Sequence, residues 1–174
     1  MSEDIRRYIT LLEKIIRQPS PELLSWFGDS KIVDRNGDPL IVYHGTRRSF
    51  DKFERRSESH DSGIFFTVNT EYAAGYATGF GATLNGSNIV PAYLKIRNPF
   101  YCLTKPTDIQ LKIGTRGAFT DDVIAHLEGQ GYDGVIVGLT DYEAKKGYRY
   151  VEHHGEEICA FHPEQVRFAL KDSE

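Results

Sequence analysis

The feature that most constrains the fold of this chain is a series of short β-type runs separated by turn residues. The runs Lys31–Asp34 and Leu40–Tyr43 flank Arg35-Asn36-Gly37-Asp38, whose Asn-Gly pair favours a tight hairpin turn. Further runs lie at 63–67, 89–96 and 132–137, with a last strand pair at 158–161 and 166–170. These runs do not alternate regularly with helices, so the sequence predicts an α+β fold rather than a doubly wound parallel sheet.

Helical periodicity is clear near the N-terminus. Apolar residues recur at helical spacing from Ile5 to Ile16, and the prolines that follow end this amphipathic helix. A second short helix is expected to end at Gly28. Because 174 residues suit a single core, we predict a helical extension over residues 1–28 and one domain over residues 29–174.

Composition excludes several classes of protein. The chain has 21 Lys and Arg against 25 Asp and Glu, a net charge of −4, which argues against coating nucleic acid through bulk basicity. Its two cysteines, Cys102 and Cys159, form no CxxC or Cys/His cluster, so we expect neither a disulfide framework nor a metal site. With no bilayer-length apolar run and no secretion signal, we expect a soluble protein that acts in the cytoplasm, or one delivered into a target cell without such a signal.

Three segments combine residues that bind or react. The first, Tyr43-His44-Gly45-Thr46, ends a β-type run with an imidazole, a hydroxyl and a glycine at which a ligand can approach the backbone. Taken alone, the motif is also typical of a histidine that hydrogen-bonds its own strand end.

The second segment joins Gly63-Ile64-Phe65-Phe66-Thr67 to a helix that is capped by Asn69 or Thr70. Phe65 and Tyr76 are 11 residues apart, a strand–turn–helix separation that can turn two rings towards each other. The small Ala73 keeps the slot between them open. Ordinary packing of an aromatic strand against an aromatic helix gives the same pattern.

The third segment, GEEICAF, begins an apolar strand with two carboxylates. Side chains alternate along a strand, so Glu157 shares a face with Cys159 and Phe161, whereas Glu156 faces the other way. A carboxylate that is buried without partners is costly. The segment therefore suggests either a functional carboxylate or two solvated carboxylates at a strand end.

In combination, YHGT, GIFFT…AAGYA and EEICAF…EQV resemble the His, Tyr and Glu motifs of ADP-ribosyltransferases of the diphtheria-toxin and poly(ADP-ribose) polymerase type. The runs WFGDSKIVDRNGDPLIVYHGT, PAYLKIRNPF, GYDGVIV and FHPEQV also resemble the small transferase domains of bacterial and phage polyvalent proteins. The resemblance extends from about Trp26 to Leu170. It implies one transferase domain with mixed, mostly antiparallel split sheets and flanking helices, which uses NAD as a substrate and needs no metal.

The resemblance also implies roles for individual residues. His44 would contact a ribose hydroxyl of NAD, the backbone of Gly45 would bind the nicotinamide carboxamide, and Thr46 would help to hold the dinucleotide. Phe65 and Tyr76 would stack on the nicotinamide ring. The family has Tyr where this chain has Phe65, so stacking is retained and a hydroxyl contact is lost.

The catalytic glutamate of the family would bond the 2′-hydroxyl of the nicotinamide ribose and offset the positive charge that develops at the anomeric carbon. A Glu-x-Ile match selects Glu156, whereas counting back from Phe161-His162-Pro163-Glu164-Gln165 selects Glu157. We prefer Glu157, because a gap-free count through a strand is better constrained. Glu157, His44 and Tyr76 then form the expected catalytic set.

The sequence leaves the acceptor of ADP-ribose open. Loop 140–154, which precedes the catalytic strand, mixes basic and aromatic residues that can stack on and neutralise single-stranded nucleic acid. A protein acceptor and a plain solvated loop fit the same residues, among them Lys145, Lys146, Tyr148 and Arg149. Four arginines between the first two motifs are candidates for phosphate contacts or belong to a charged surface loop: Arg47, Arg48, Arg55 and Arg56.

Three functions are consistent with these motifs. The first is a mono-ADP-ribosyltransferase that modifies a protein or a nucleic acid, acting as a toxin or a phage-defence enzyme. The second is an NAD glycohydrolase, and the third is a catalytically inactive NAD-fold binding module. The amphipathic helix over residues 5–16 is a candidate for docking an antitoxin or inhibitor, and packing against its own domain also explains it.

Overall fold

The computed structural model describes residues 19–55, 62–78, 88–102, 119–138 and 157–170, together with Arg7 and Thr10. Within these ranges the helices are α1 (Pro21–Phe27), α2 (Thr70–Thr78) and α3 (Asp121–Gly129). The strands are β1 (Val42–Thr46), β2 (Ile64–Phe66), β3 (Asn88–Leu94), β4 (Pro99–Cys102), β5 (Gly134–Val137), β6 (Glu157–Ala160) and β7 (Val166–Phe168). No helix in the described part of the chain is long and apolar enough to cross a membrane.

The described strands form two sheets, ordered β1-β3-β7 and β2-β6-β5-β4. Neighbouring strands are antiparallel except for β4 and β5, which run parallel. The predicted α+β class with mostly antiparallel, split sheets is thus confirmed. The prediction that the last two strands pair with each other is wrong. A 3₁₀ turn at Pro163–Gln165 separates them, and β7 pairs with β3 in the other sheet.

Helix α1 begins and ends as the sequence indicates. The Ser20 side chain accepts the N–H of Leu23, and Gly28 ends the helix with a φ of 57°, a left-handed conformation that favours glycine. Phe27 packs with Tyr93 of β3. Arg7 and Thr10 are helical, but the rest of the predicted first helix lies outside the described residues. The division into an extension over 1–28 and a domain over 29–174 therefore stays a prediction.

The Asn-Gly segment forms a turn but not a hairpin of two full strands. The predicted runs at 31–34 and 40–43 meet only in an isolated bridge between Val33 and Pro39. Gly37 has a φ of 91° and supplies the left-handed residue of the turn. The Asp34 carboxylate accepts hydrogen bonds from the backbone N–H groups of Asn36 and Asp38. These N–H groups of the turn thus have a side-chain partner in place of one on a neighbouring strand.

The two faces of the four-stranded sheet pack into different parts of the core. On β6, Ile158 and Ala160 belong to a cluster that also contains residues of the three-stranded sheet. Cys159 and Phe161 belong to a second cluster under α3. Because side chains alternate along a strand, this division places Glu157 on the face of Cys159.

The two sheets are joined at the end of β2. The N–H of Tyr43 on β1 donates to the carbonyl of Thr67 at 2.8 Å, and the N–H of Thr67 donates to the carbonyl of Tyr43 at 3.0 Å. Phe65 and Phe66 of β2 also pair with Cys159 and Ile158 of β6, in the four-stranded sheet. The chain around β2 therefore brings β1, β2 and β6 together.

Helix α2 lies directly against β1. Its N-terminus is capped by the Asn69 side chain, which accepts the N–H groups of Glu71 and Tyr72. A Cβ on Gly45 would lie only 1.9 Å from the carbonyl oxygen of Ala73. Glycine at position 45 is therefore what permits this close approach of helix to strand.

Candidate active site

A cleft of about 910 Å³ opens where β1, β2, α2 and β6 meet. Residues at the end of β1, along β2 and on α2 form its wall, together with the first residue of β6. All seven of the preferred catalytic and binding residues line it: His44, Gly45, Thr46, Phe65, Ala73, Tyr76 and Glu157. The topology thus brings together three segments that are far apart in the sequence.

Glu157 is the first residue of β6 and is 2% exposed. The Tyr76 hydroxyl donates to its Oε1 at 2.7 Å. The Tyr72 hydroxyl lies 3.4 Å from the same oxygen, at the long end of hydrogen-bonding distance. Hydrogen bonds from phenol hydroxyls hold a carboxylate in place, so this surrounding suits a glutamate that must be held in a defined position.

His44 is held by backbone and by aromatic rings. Its Nδ1 lies 2.8 Å from the Phe65 carbonyl oxygen. A carbonyl only accepts, so Nδ1 carries the hydrogen, and in the neutral ring Nε2 is an acceptor. The rings of Phe50, Phe53 and Phe66 lie 5.6 to 5.9 Å from the imidazole, centroid to centroid. The orientation of His44 is therefore fixed by one hydrogen bond and three ring contacts.

The two predicted stacking residues have different environments. Phe65 is half-buried and packs on Phe119, with ring centroids 5.7 Å apart. Tyr76 is 43% exposed, although its hydroxyl reaches the buried carboxylate. Register places Phe65 opposite Cys159 and hence on the same face of the sheet as Glu157. A flat ligand in the cleft thus has aromatic surface and a carboxylate within one site.

Gly45, Thr46 and Ala73 shape the junction of β1 and α2. Ala73 is fully buried, and the room that a side chain would need at Gly45 is occupied by the backbone of α2. Glycine is therefore required here for helix packing, a reason that the sequence analysis did not anticipate. Thr46 is buried, and its Oγ1 accepts the N–H of Arg48 at 3.2 Å.

Cationic side chains of the loop after β1 line one part of the cleft. Lys52 pairs with Glu54 at 2.8 Å, and the hydrogen bond that its ammonium donates to the Glu54 carboxylate raises the pKa of Lys52. Arg55 pairs with Asp121 at the start of α3. Arg47 and Arg48 are exposed. Among the described residues of this loop, Arg47 and Arg48 are thus the main source of positive charge for an anionic ligand.

Several predicted residues lie outside the described part of the chain. They are the alternative glutamate and the whole candidate acceptor loop, together with one of the four arginines: Glu156, Lys145, Lys146, Tyr148, Arg149 and Arg56. Among the described residues, no group of three or more His, Cys, Asp or Glu side chains could hold a metal ion.

Sequence reasoning missed Tyr72. It lies four residues before Tyr76 on α2, so both side chains occupy one face of the helix. Their rings meet edge to face, with centroids 5.3 Å apart and an interplanar angle of 83°. The four-residue spacing of the two tyrosines was the available signal.

The cleft lies within the range matched by one family of known proteins. A family model described as ADP-ribosyltransferase in polyvalent proteins matches residues 34–174. That range includes every residue that lines the cleft. A comparison with curated proteins finds no match.

Proposed function

Since the chain belongs to the ADP-ribosyltransferases of polyvalent proteins, we propose that it transfers a single ADP-ribose from NAD to a macromolecular acceptor. The observation that carries this proposal is the buried Glu157 carboxylate in the cleft, held by the Tyr76 hydroxyl. His44 lines the same cleft in a fixed orientation. A carboxylate, an imidazole and aromatic rings are the groups needed to bind a nicotinamide ribose and to stabilise its cation.

The reaction breaks the bond between the ribose C1′ and the nicotinamide nitrogen. Nicotinamide leaves with the bonding electron pair, and C1′ takes on positive charge. A nucleophile of the acceptor then forms a bond to C1′ and loses its proton to solvent. In this scheme the Glu157 carboxylate accepts the 2′-hydroxyl of the ribose and stabilises the cationic transition state, because a fixed charge in a water-poor site acts strongly.

The other residues of the cleft bind and orient the dinucleotide. Nε2 of His44 accepts a ribose hydroxyl, which the Nδ1 anchor makes possible in the neutral ring. Phe65 and Tyr76 stack on the nicotinamide, the Gly45 backbone binds its carboxamide, and Thr46 helps to hold the dinucleotide. Each correct contact lowers the entropic cost of reaching the transition state.

The test is release of nicotinamide from NAD by the purified full chain, with and without Glu157→Gln. We expect this variant to lose about 100-fold or more in rate, as for removal of a group that stabilises transition-state charge. Glu164→Gln is the matched control, since Glu164 is exposed on the 3₁₀ turn outside the cleft. Full activity in Glu157→Gln with loss in Glu156→Gln would contradict our choice of glutamate.

The acceptor is identified with NAD that is labelled in its adenylate portion and incubated with the chain and a cell lysate. Label on protein, RNA or DNA supports the transferase and names the acceptor class. Free ADP-ribose without labelled macromolecule would instead make the protein an NAD glycohydrolase. Absence of both products would refute enzymatic activity and leave a binding module.

The proposal extends to a biological role, in which the protein acts within a cell as a toxin or a phage-defence enzyme. Modification of an essential macromolecule should arrest growth of a bacterial host that expresses the wild-type chain. The Glu157→Gln variant should permit growth. A natural host would then need an antitoxin or inhibitor as a partner, and equal growth with both chains would contradict a toxin role.

A further inference from the structure

Tyr72 is a second phenol directed at the proposed catalytic carboxylate. Its hydroxyl lies 3.4 Å from Oε1 of Glu157 and 3.5 Å from the hydroxyl of Tyr76. Its half-buried ring packs edge to face on Tyr76. Tyr72 thus contacts the two groups on which the proposed chemistry depends.

Counting protons limits how these three groups can be arranged. Each phenol has one hydrogen to donate, and an ionised carboxylate only accepts. The Tyr76 hydrogen points at Oε1, from which its oxygen is 2.7 Å away. The Tyr72 hydrogen then goes either to Oε1 directly or to the Tyr76 oxygen, which in turn donates to Oε1. Both arrangements end on Glu157, and in the second one each bond polarises and strengthens the next.

We propose that Tyr72 is a positioning residue that fixes the Glu157 carboxylate and the Tyr76 ring for nicotinamide release. This inference rests on the proposed function. A glutamate side chain has several rotatable bonds, and its charge stabilises a cation only when it is held at the right place. Tyr76 is 43% exposed, so its own ring needs a neighbour to define its rotamer. Tyr72 supplies both constraints from one turn earlier on the same helix.

The kinetic test is Tyr72→Phe, which removes the hydroxyl and keeps the ring contact with Tyr76. We expect kcat for nicotinamide release to fall about five- to tenfold, with KM for NAD changed less than about twofold. Tyr72→Leu, which also removes the ring, should lower kcat further and raise KM. Tyr132→Phe is the matched control, because Tyr132 packs on Phe100 and does not line the cleft.

A merely structural role predicts a different pattern. Tyr72→Phe would then lower the melting temperature and leave kcat of the folded protein unchanged, which would overturn the proposal. A kcat loss that Tyr132→Phe shows equally would also overturn it, since the effect would not be specific to this hydroxyl.

A thermal double-mutant cycle tests the contact without any turnover. Tyr72→Phe is combined with Glu157→Met, which replaces the carboxylate by an apolar group of similar length. We expect the melting shift caused by Tyr72→Phe to be smaller by about 2 °C in the Glu157→Met background. If the wild-type chain releases no nicotinamide, the proposed function fails and this cycle alone decides. Additive shifts would then overturn the claim that Tyr72 fixes the Glu157 carboxylate, and non-additive shifts would support that claim independently of any reaction.

Discussion

Substitution of Gly45 by alanine tests the close approach of helix α2 to strand β1. The added Cβ would lie 1.9 Å from the Ala73 carbonyl oxygen and 3.0 Å from the Cβ of Tyr76. Real Cβ atoms essentially never approach another heavy atom more closely than 3.0 Å. The backbone of α2 must therefore move away by about 1.1 Å, the difference between 3.0 Å and the 1.9 Å to the Ala73 oxygen. Overpacking of this kind costs about 1–3 kcal/mol of unfolding free energy. In a chain of this size that is a melting temperature lower by about 2–12 °C.

The same displacement should also lower the rate of nicotinamide release, even at temperatures where the variant remains folded. Tyr76 moves with the helix, and its 2.7 Å hydrogen bond to Glu157 then lengthens beyond useful range. A misplacement of about 1 Å in a catalytic site can cost about 100-fold, so we expect nicotinamide release to fall by about 10- to 100-fold at a temperature where the variant is folded. Thermal unfolding and initial rates on the same preparation measure the two effects separately.

A glycine elsewhere in the chain provides the control. A Cβ on Gly129, the last residue of α3, would meet nothing within 4 Å. Gly129→Ala should therefore keep wild-type activity. Its free energy of unfolding should rise by up to about 1 kcal/mol, since alanine loses less conformational entropy on folding. Wild-type stability and activity in Gly45→Ala would refute the argument that this glycine is required for helix packing.

Two further predictions concern the interior. Phe53 is 7% exposed and contacts the His44 ring. Phe53→Leu should therefore lower the free energy of unfolding by about 1 kcal/mol and raise KM for NAD, as measured by nicotinamide release. Phe100→Leu is the control and should affect stability alone. Burial raises the pKa of Tyr93 to about 12, above its ordinary value of 10.0. The unfolded chain therefore loses this proton at lower pH than the folded one, and Tyr93 lowers stability as pH rises above 10. Urea unfolding should show the stability difference between wild type and Tyr93→Phe changing by about 1.4 kcal/mol between pH 9 and pH 11, and a constant difference would contradict the assigned burial effect.

Local pattern was sufficient to predict much of the fold and of the site. Residue preferences and periodicity predicted a helix that ends at Gly28 and a helix cap at Asn69 or Thr70, which the structure places at Asn69. They also predicted a strand over 158–161, which the structure places at Glu157–Ala160. Alternation along that strand also indicated the face that Glu157 shares with Cys159. These features depend on neighbours within a few residues, which a single sequence contains.

Features that depend on distant partners could not be predicted in this way. Strand β4 was not predicted from the sequence. Proline often marks the end of a strand, but at the first position of an edge strand, as in Pro99, it removes no ladder hydrogen bond. The contact of Tyr72 with Glu157 spans 85 residues. Likewise, only the packed structure shows that Gly45 faces the backbone of α2. Pairing of strands and helices sets these contacts, and local preference does not encode it.

The hydrogen bond from His44 to the Phe65 carbonyl makes the orientation of the imidazole independent of its charge. Nδ1 carries a hydrogen in both the neutral and the cationic ring, so the same bond of 2.8 Å is available in either form. The proton that distinguishes the two forms resides on Nε2. Protonation of Nε2 would therefore convert an acceptor into a donor and add a positive charge to the cleft, while the ring keeps its place.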